Sequence, residues 1–490
     1  MQKYKITIQR FIVYALGAGL LVFSSCKKGD YYTGSDAKLQ FSNTIITFDT
    51  VFTSVSTITK VLKVSNPYKT DIKTDIVLVG GTMSYFSINV NGVPMQKQYL
   101  EDVEIPAQDS IFIFIKANIN PNGVNNPMLA CDTLRFTTNG NKQNVELLAC
   151  GQDAHFIIPK DTLLIDNGDG TATMFPSCHF IAEEGQEVTW KNDKPYVIYG
   201  YAVVLPNSKL IVEKGTRIHL HKDAMLWVYV DGCLEVNGTK DEPVTFQGDR
   251  LEEWYQKGYG LWDRILICEG NRDNKINYAV IKNAAIGIQT ETFESKKSNK
   301  LILTNTVIKT ADLAGLLSKN YTIEASNNVF MDCMQYCVAL TQGGDYTFVN
   351  NTIYNRYSSR RTTPSLYISN YYKYSDEYIV FDDFSGNFVN NIVSGTLDKP
   401  EFDCSFLKDA KFSATFENCL LKTSDEVLKK VTHDNTLLNK NPDFEDAKEY
   451  NLKLKSGSPC KKAGKTVLWL QTDIEGNPRN SSYPSIGAYE

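Results

Sequence analysis

Similar short words recur along the second half of this chain, and this repetition restricts the possible folds more than any other feature. Each word begins with asparagine and leads into apolar residues, and the words start at Asn277, Asn305, Asn328, Asn351, Asn391 and Asn418. The intervals between them are 28, 23, 23, 40 and 27 residues. A coil of three short parallel strands and three turns needs roughly twenty residues or slightly more. We therefore predict stacked coils of parallel strands, with loops in the longer intervals.

Three of these words carry a doubled asparagine. The doublets are Asn327-Asn328, Asn350-Asn351 and Asn390-Asn391. Because they fall at one turn of different coils, their amides can hydrogen-bond to one another along the stack. We predict that this amide ladder has a structural role.

Longer segments at both ends of the repeat region resemble known β-helix proteins. Leu210-Ile-Val-Glu-Lys-Gly215-Thr and the segment 234–246 resemble early coils of extracellular β-helices. Asn441-Pro442-Asp-Phe444 and the segment 473–490 resemble the closing part of pectate-lyase-like β-helices. The resemblance implies a right-handed parallel β-helix over residues 155–490, a fold that hosts lyases, hydrolases, adhesins and scaffolds. We expect Asp473 and Arg479 to close the last coil by bonding to each other or to backbone.

Residues 37–154 show a different pattern, in which short β-rich runs alternate with turn signals. Runs at 61–64, 76–79 and 111–115 are examples. Roughly seven such strands are typical of an immunoglobulin-like sandwich. The segment 132–151 also resembles the closing hairpin of bacterial domains related to the ASPM, SPD-2 and hydin family. The predicted fold class is all-β, with a sandwich followed by the β-helix.

The N-terminus is typical of an exported protein. Lys3, Lys5 and Arg10 precede an apolar stretch over 11–23, as in a signal peptide. Val22-Phe23-Ser24-Ser25-Cys26 resembles the lipobox of bacterial lipoproteins, which implies cleavage after residue 25 and lipidation of Cys26. We expect 26–36 to be a tether and the protein to be anchored to the outer membrane of the cell envelope.

Charge and cysteine content add two predictions. A net charge of −5 without a basic cluster predicts that nucleic acid is not a partner. No CxxC pair is present, and we predict no metal site. If the hairpin from Cys131 to Cys150 turns about Gly140-Asn141, the two cysteines lie opposite each other and a disulfide is possible. A turn about Asn139-Gly140 breaks that pairing.

Aromatic residues in two long inter-coil loops are the leading candidates for a binding site. Their amphipathic rings suit sugar faces, and functional surface tends to lie on such loops. The alternative is that the rings pack the loops onto the coils. The candidate glycan-binding residues are Tyr357, Arg360, Arg361, Tyr367, Tyr371, Tyr372, Tyr374, Trp254 and Tyr259.

These observations predict a membrane-tethered protein that binds or scaffolds extracellular polysaccharide or cell-surface glycan and needs no cofactor. One alternative is a polysaccharide lyase with Arg356, Arg360, Arg361 or Lys373 as base or charge neutraliser. That alternative allows Ca²⁺, for which the nearby carboxylates are Asp376, Glu377, Asp382 and Asp383. A second alternative is an adhesion or structural surface protein without a sugar ligand.

Overall fold

Almost all regular structure in this chain is β-strand, as predicted. The structure is a computed structural model that describes residues 31–490 except 53–58, 97, 120–127, 252, 293–298 and 358–360. The chain divides between Gln152 and Asp153 into two compact units. The sequence patterns placed this boundary between residues 154 and 155.

The first unit consists of two five-stranded sheets that share one apolar core. Its strands are β1 (Gln40–Phe41), β2 (Ile45–Phe52), β3 (Lys60–Ser65), β4 (Ile72–Leu78), β5 (Phe86–Val90), β6 (Val93–Pro94), β7 (Tyr99–Ile105), β8 (Ser110–Ala117), β9 (Met128–Thr138) and β10 (Asn141–Gln152). The strand orders are β1-β3-β8-β5-β6 and β2-β10-β9-β4-β7. Alternate residues of a strand point to opposite faces, so Ile111, Ile113 and Ile115 of β8 all enter the core.

The hairpin between β9 and β10 corrects the disulfide prediction. Its turn is Asn139-Gly140, where both residues have positive φ, 47° and 86°, as the tight turns that match strand twist require. This register places Cys131 opposite Leu148, and the Cys131 thiol is free. The predicted bridge to Cys150, whose side chain lies outside the described part, is therefore wrong because the turn is centred one residue earlier.

The prediction that residues 26–36 form a tether is wrong for residues 31–36. The Tyr32 ring stacks on Tyr68 with a centroid distance of 3.8 Å. The Asn139 side chain donates a hydrogen bond of 2.7 Å to the Tyr32 carbonyl oxygen. Residues 31–36 thus belong to the first unit, because an aromatic partner and turn amides hold them there. Residues 26–30 lie outside the described residues.

The second unit contains the remaining strands, most of them short and parallel. In chain order they are β11 (His155–Ile157), β12 (Asp161–Asp166), β13 (Ala172–Phe180), β14 (Glu187–Trp190), β15 (Tyr196–Ile198), β16 (Tyr201–Val204), β17 (Lys209–Glu213), β18 (Arg217–Leu220), β19 (Met225–Val228), β20 (Cys233–Asn237), β21 (Val244–Gly248), β22 (Trp262–Cys268), β23 (Asn274–Asn277), β24 (Ala279–Lys282), β25 (Ala284–Glu291), β26 (Leu301–Thr304), β27 (Val307–Lys309), β28 (Ala314–Ser326), β29 (Val329–Met331), β30 (Tyr336–Val349), β31 (Thr352–Asn355), β32 (Leu366–Ser369), β33 (Tyr371–Lys373), β34 (Ile379–Phe381), β35 (Phe384–Val389), β36 (Ile392–Gly395), β37 (Phe402–Ser405), β38 (Phe412–Glu417), β39 (Leu420–Leu421), β40 (Thr432–Asp434), β41 (Leu437–Leu438), β42 (Phe444–Asp446) and β43 (Asn451–Leu454).

Successive repeats of the second unit pair through three parallel ladders. One contains β15, β18, β21 and β24, a second β16, β19, β22 and β25, and a third β17, β20, β23 and β26. The first ladder belongs to an 11-stranded sheet that runs to β41. Ile218, Leu226 and Leu234 come from the three ladders, and all are fully buried in one core. The repeat spacing therefore predicted the parallel pairing.

The doubled asparagines form the predicted amide ladder. The Asn328 Nδ2 donates to Asn351 Oδ1 at 2.9 Å, and the Asn351 Nδ2 donates to Asn391 Oδ1 at 3.0 Å. All three side chains are fully buried. The first asparagine of each doublet, such as Asn350 with φ 55°, adopts the left-handed conformation that asparagine tolerates. The prediction of a structural role is confirmed.

The C-terminal segment packs on the face of the 11-stranded sheet opposite the core. Phe444, Leu452 and Ile486 join a second apolar cluster with residues of β29, β36 and β39. Arg479 donates to the carbonyl oxygens of Gly487 and Ala488. Asp473 accepts from the backbone of residues 475, 477 and 490. Both residues thus bond to backbone, one of the two arrangements expected.

Helices are few and short. Those that the described residues form are α1 (Glu253–Gln256), α2 (Asp425–Leu428) and two 3-10 turns, Gly81–Met83 and Ala447–Glu449. Within the described ranges, no helix has the length and apolarity to cross a bilayer.

Candidate functional site

Two of the predicted aromatic residues, far apart in sequence, meet in space. Tyr259 lies in the loop between β21 and β22, and Tyr357 follows β31. Their ring centroids are 5.6 Å apart in an edge-to-face arrangement. The parallel stacking explains the contact, because loops that leave the same side of different repeats run alongside one another.

The polar residues beside these rings come from equivalent positions of neighbouring repeats. Asp332, Arg356 and Thr396 directly follow the last residues of β29, β31 and β36, which are adjacent strands of the 11-stranded sheet. Adjacent parallel strands end at the same edge of a sheet, so these side chains come together. Asp332 adopts a left-handed φ of 54° and is 2% exposed.

Asp332 is the centre of a hydrogen-bond network. Its carboxylate accepts from the Arg356 Nη2 at 3.1 Å, the Tyr259 hydroxyl at 3.2 Å and the Tyr450 hydroxyl at 3.0 Å. Burial, followed by the Asp332 charge, raises the pKa of Tyr450 to about 12, and the same two causes raise the pKa of Tyr259. The hydrogen bond to Asp332 raises the pKa of Arg356. Both tyrosines are therefore neutral and Arg356 is charged at physiological pH.

An open cleft of about 760 Å³ lies over this network. The volume is within the range of ligand sites, about 300–1,000 Å³. Its lining residues are Tyr259, Asp332, Tyr354, Arg356, Tyr357, Thr396, Phe444, Glu445, Asp446, Ala447, Lys448 and Lys455. We call it the Tyr259–Tyr357 cleft.

The other predicted tyrosines form a separate group on the 18-stranded sheet, around β30 and β32. Tyr367 and Tyr371 both bond through their hydroxyls to Ser405. Tyr372 and Tyr374 belong to the short hairpin of β33 and β34 and contact each other edge to face. These four rings therefore do not line the Tyr259–Tyr357 cleft.

A polar chain lies beneath the hairpin tyrosines. The Lys319 ammonium is 3.2 Å from Glu291 and 4.7 and 4.9 Å from the ring centres of Tyr372 and Tyr374. Gln289 donates to the same glutamate at 2.7 Å. Lys319 is 8% exposed, so the two rings shield its ammonium group from solvent. The rings therefore pack against the protein on one side and are exposed at one edge.

Arg361 was predicted to bind glycan, and this prediction is wrong. Its guanidinium forms two parallel bonds with Glu401, 2.7 and 2.8 Å long, and both side chains are fully buried. It also donates to the carbonyl oxygens of Tyr357 and Asn355. Arg361 therefore has a structural role, because it pairs with the buried Glu401. Arg360 and the side chain of Trp254 lie outside the described residues.

The carboxylates considered for Ca²⁺ are dispersed. Asp376 pairs with Lys373 on the hairpin, whereas Asp382 accepts from Asn320. Asp383 accepts from the backbone of Lys411. In the part of the chain that the structure describes, no group of three or more histidine, cysteine, aspartate or glutamate side chains is placed to hold a metal ion.

Sequence reasoning missed several residues of these sites, among them Asp332, Thr396, Tyr450 and Lys319. Asp332 had a readable signal, since it ends the repeat word Asn328-Val-Phe-Met-Asp. Tyr450 had no such signal, because it belongs to the C-terminal segment and lies 118 residues from Asp332 along the chain.

No protein-family model matches the chain, and no curated protein matches it. Solved structures that are similar in part include a PapD-like domain of human CEP192, with 14% identity over 26% of this chain and 94% of that one, at a TM-score of 0.17. Another is a family 123 glycoside hydrolase from Clostridium perfringens, with 7% identity over 24% of this chain and 30% of that one, also at 0.17. Likenesses this weak carry no conclusion about fold or function.

Proposed function

We propose that this chain is an envelope lipoprotein that binds extracellular polysaccharide in the Tyr259–Tyr357 cleft. In this proposal the first unit is an immunoglobulin-like sandwich, because two mainly antiparallel sheets share one core. The second is a right-handed parallel β-helix, because three parallel ladders surround another core. Such a stack is a rigid support on which loops form a binding surface.

The convergence of Tyr259 and Tyr357 is the observation that carries the proposal. Two partly exposed rings that meet edge to face at the wall of an open cleft offer apolar faces to sugar CH groups and hydroxyls to the hydroxyl groups of a sugar. Arg356, Asp332 and Thr396 add fixed polar groups, and a few such groups among aromatic walls are typical of ligand sites.

Replacing Tyr357 by alanine is expected to weaken glycan binding about tenfold or more, since removal of a central aromatic side chain costs ~1.4 kcal/mol or above. The measurement is isothermal titration calorimetry of residues 31–490 against the polysaccharide that binds best in a panel of neutral and acidic glycans. Tyr483→Ala, at an exposed tyrosine outside the cleft, is the matched control and is expected to bind normally.

Two results contradict the proposal. One is the absence of saturable binding to any glycan by a folded wild-type protein. The other is equal binding by the Tyr357 and Tyr483 variants, which moves the site elsewhere. Melting temperatures of both variants show whether the loss is local.

The contacts of the candidate bases favour binding over lyase chemistry. Among the described candidates, Arg356 is paired with the buried Asp332 and Arg361 with the buried Glu401, whereas a general base must be free to take a proton. Lys373 forms only an exposed pair with Asp376, and Arg360 lies outside the described residues. Incubating the same glycans with Ca²⁺ and following unsaturated products tests the alternative directly. Accumulation of unsaturated product would show that the protein is a lyase.

Replacing Cys26 by serine is expected to abolish lipid attachment. The lipobox-like word places the acyl chains on this cysteine, and without them membrane retention is lost because each buried CH₂ contributes about 0.8 kcal/mol. The measurement is incorporation of a palmitate analogue and recovery in the outer-membrane fraction. Cys131→Ser is the matched control, and unchanged labelling of the Cys26 variant contradicts the anchor.

A further inference from the structure

The hydrogen bonds around Asp332 have a fixed direction. A carboxylate accepts hydrogen bonds and has none to donate, so the Tyr259 hydroxyl must direct its proton to Asp332 across the 3.2 Å contact. The Tyr259 oxygen is then left with lone pairs alone on its remaining sides. Because Tyr259 lines the cleft, a ligand at this point meets an acceptor.

A second cleft hydroxyl is fixed in the same way. Thr396 donates to the carbonyl oxygen of Arg356 at 2.9 Å, and a carbonyl also only accepts. The Thr396 oxygen therefore faces the cleft as an acceptor. Two hydroxyls from separate elements thus require a ligand that carries O–H or N–H donors.

The buried Asp332 carboxylate is paired with the partly exposed guanidinium of Arg356. Arg356 directs Nε and Nη2 to Asp332, Nη2 also to Tyr450, and Nη1 to the Lys448 carbonyl. Four of its five N–H groups are thereby used. The exposed rim adds two lysines and two carboxylates, which balance in number: Lys448, Lys455, Glu445 and Asp446.

We infer that the cleft selects uncharged sugar units through their hydroxyl groups and disfavours uronate or sulfated units. This inference rests on the proposed glycan binding and specifies its substrate class. An anionic group carries only hydrogen-bond acceptors. Its lone pairs would therefore face the lone pairs of the Tyr259 and Thr396 hydroxyl oxygens, with no proton between them. Nor does the described lining offer a net positive charge: Arg356 is paired with Asp332, and Lys448 and Lys455 are matched in number by Glu445 and Asp446.

The test compares one polysaccharide in two forms. The neutral glycan that binds best is oxidised selectively at its primary hydroxyl, which converts the same chain into a uronate. Oxidation is expected to weaken binding at least about tenfold, the scale of discrimination when a polar site meets a mismatched group. Raising the salt concentration should leave binding of the neutral form unchanged, because no net charge is involved.

Asp332→Asn is the decisive variant. Asparagine has the same shape and tolerates the left-handed φ of 54°. Its amide can donate to Tyr259, which frees the tyrosine proton to point into the cleft, and it leaves Arg356 without a counter-charge. The loss caused by oxidation is therefore expected to shrink to less than about threefold. A loss that stays as in the wild type overturns the inference.

A second variant covers the case in which Asp332→Asn does not fold. Thr396→Val keeps the shape of the side chain and removes the acceptor, so it should weaken the neutral form several-fold and leave the oxidised form unchanged. Equal effects on both forms overturn the inference. If the wild type binds no glycan, the proposed function itself fails; if it binds the oxidised form equally well or better, glycan binding stands and only the selectivity is wrong.

Discussion

Replacing Asn351 by leucine is expected to lower the free energy of unfolding of the second unit by about 3–5 kcal/mol. The Asn351 Oδ1 accepts from both the backbone N–H and the Nδ2 of Asn328, and its own Nδ2 donates to Ala325 and Asn391. All these groups are buried beyond the reach of water. Leucine fills a similar volume but satisfies none of them, and an unsatisfied buried group costs about 1–3 kcal/mol.

Tryptophan fluorescence during urea unfolding measures this effect in the correct unit. The five tryptophans are Trp190, Trp227, Trp254, Trp262 and Trp469, all within the second unit. Asn237→Leu, at an exposed strand position of the same unit, is the control and should change stability by less than about 0.5 kcal/mol. Equal midpoints for the two variants would show that the ladder contributes nothing measurable.

Replacing Arg361 by leucine is expected to cost about 3–5 kcal/mol, because the Glu401 carboxylate is left buried without its partner. Glu401 also accepts from the backbone and hydroxyl of Ser365 and the backbone of Leu397, so it cannot turn toward solvent. Arg361 holds the carbonyl oxygen of Tyr357 as well. We therefore expect weaker glycan binding as a secondary effect of the loosened cleft wall.

A double variant separates the two roles of Arg361. Arg361→Leu with Glu401→Leu removes both charges and should recover part of the lost stability, since well-packed apolar groups can replace a buried pair. Lys411→Leu breaks an exposed pair with Asp383 and, as the control, should change stability by less than about 1 kcal/mol. If Arg361→Leu loses glycan binding without losing stability, the residue contacts ligand after all.

The repeat architecture could be predicted because its determinants are local. Asn328 and Asn351 recur with apolar residues at a fixed distance, and the same backbone turn needs the same residue each time. The hairpin at Asn139-Gly140 shows the limit of such reasoning. A shift of one residue in the turn moves every cross-strand partner, and only the conformations of these two residues decide between the two registers.

The site could be predicted only in part, because its contacts join distant segments. Aromatic content marked Tyr259 and Tyr357 as candidates, but their contact depends on the side from which each loop leaves its repeat. The sequence around Arg361 does not show whether its side chain is exposed or buried, because its partner Glu401 lies forty residues away. Asp332 ends a repeat word, but its partners Arg356, Tyr259 and Tyr450 come from other segments, and no local pattern identifies them.

The hydrogen-bond lengths of the amide ladder do not depend on the number of residues between its asparagines. Asn328 and Asn351 are 23 residues apart, and Asn351 and Asn391 are 40 apart, yet the two amide bonds are 2.9 and 3.0 Å long. Seventeen additional residues have therefore entered one repeat without disturbing the register of the next. The stack and its loops can consequently change independently: a loop between two asparagines of the ladder can be lengthened or replaced, while the asparagines preserve the stack that supports it.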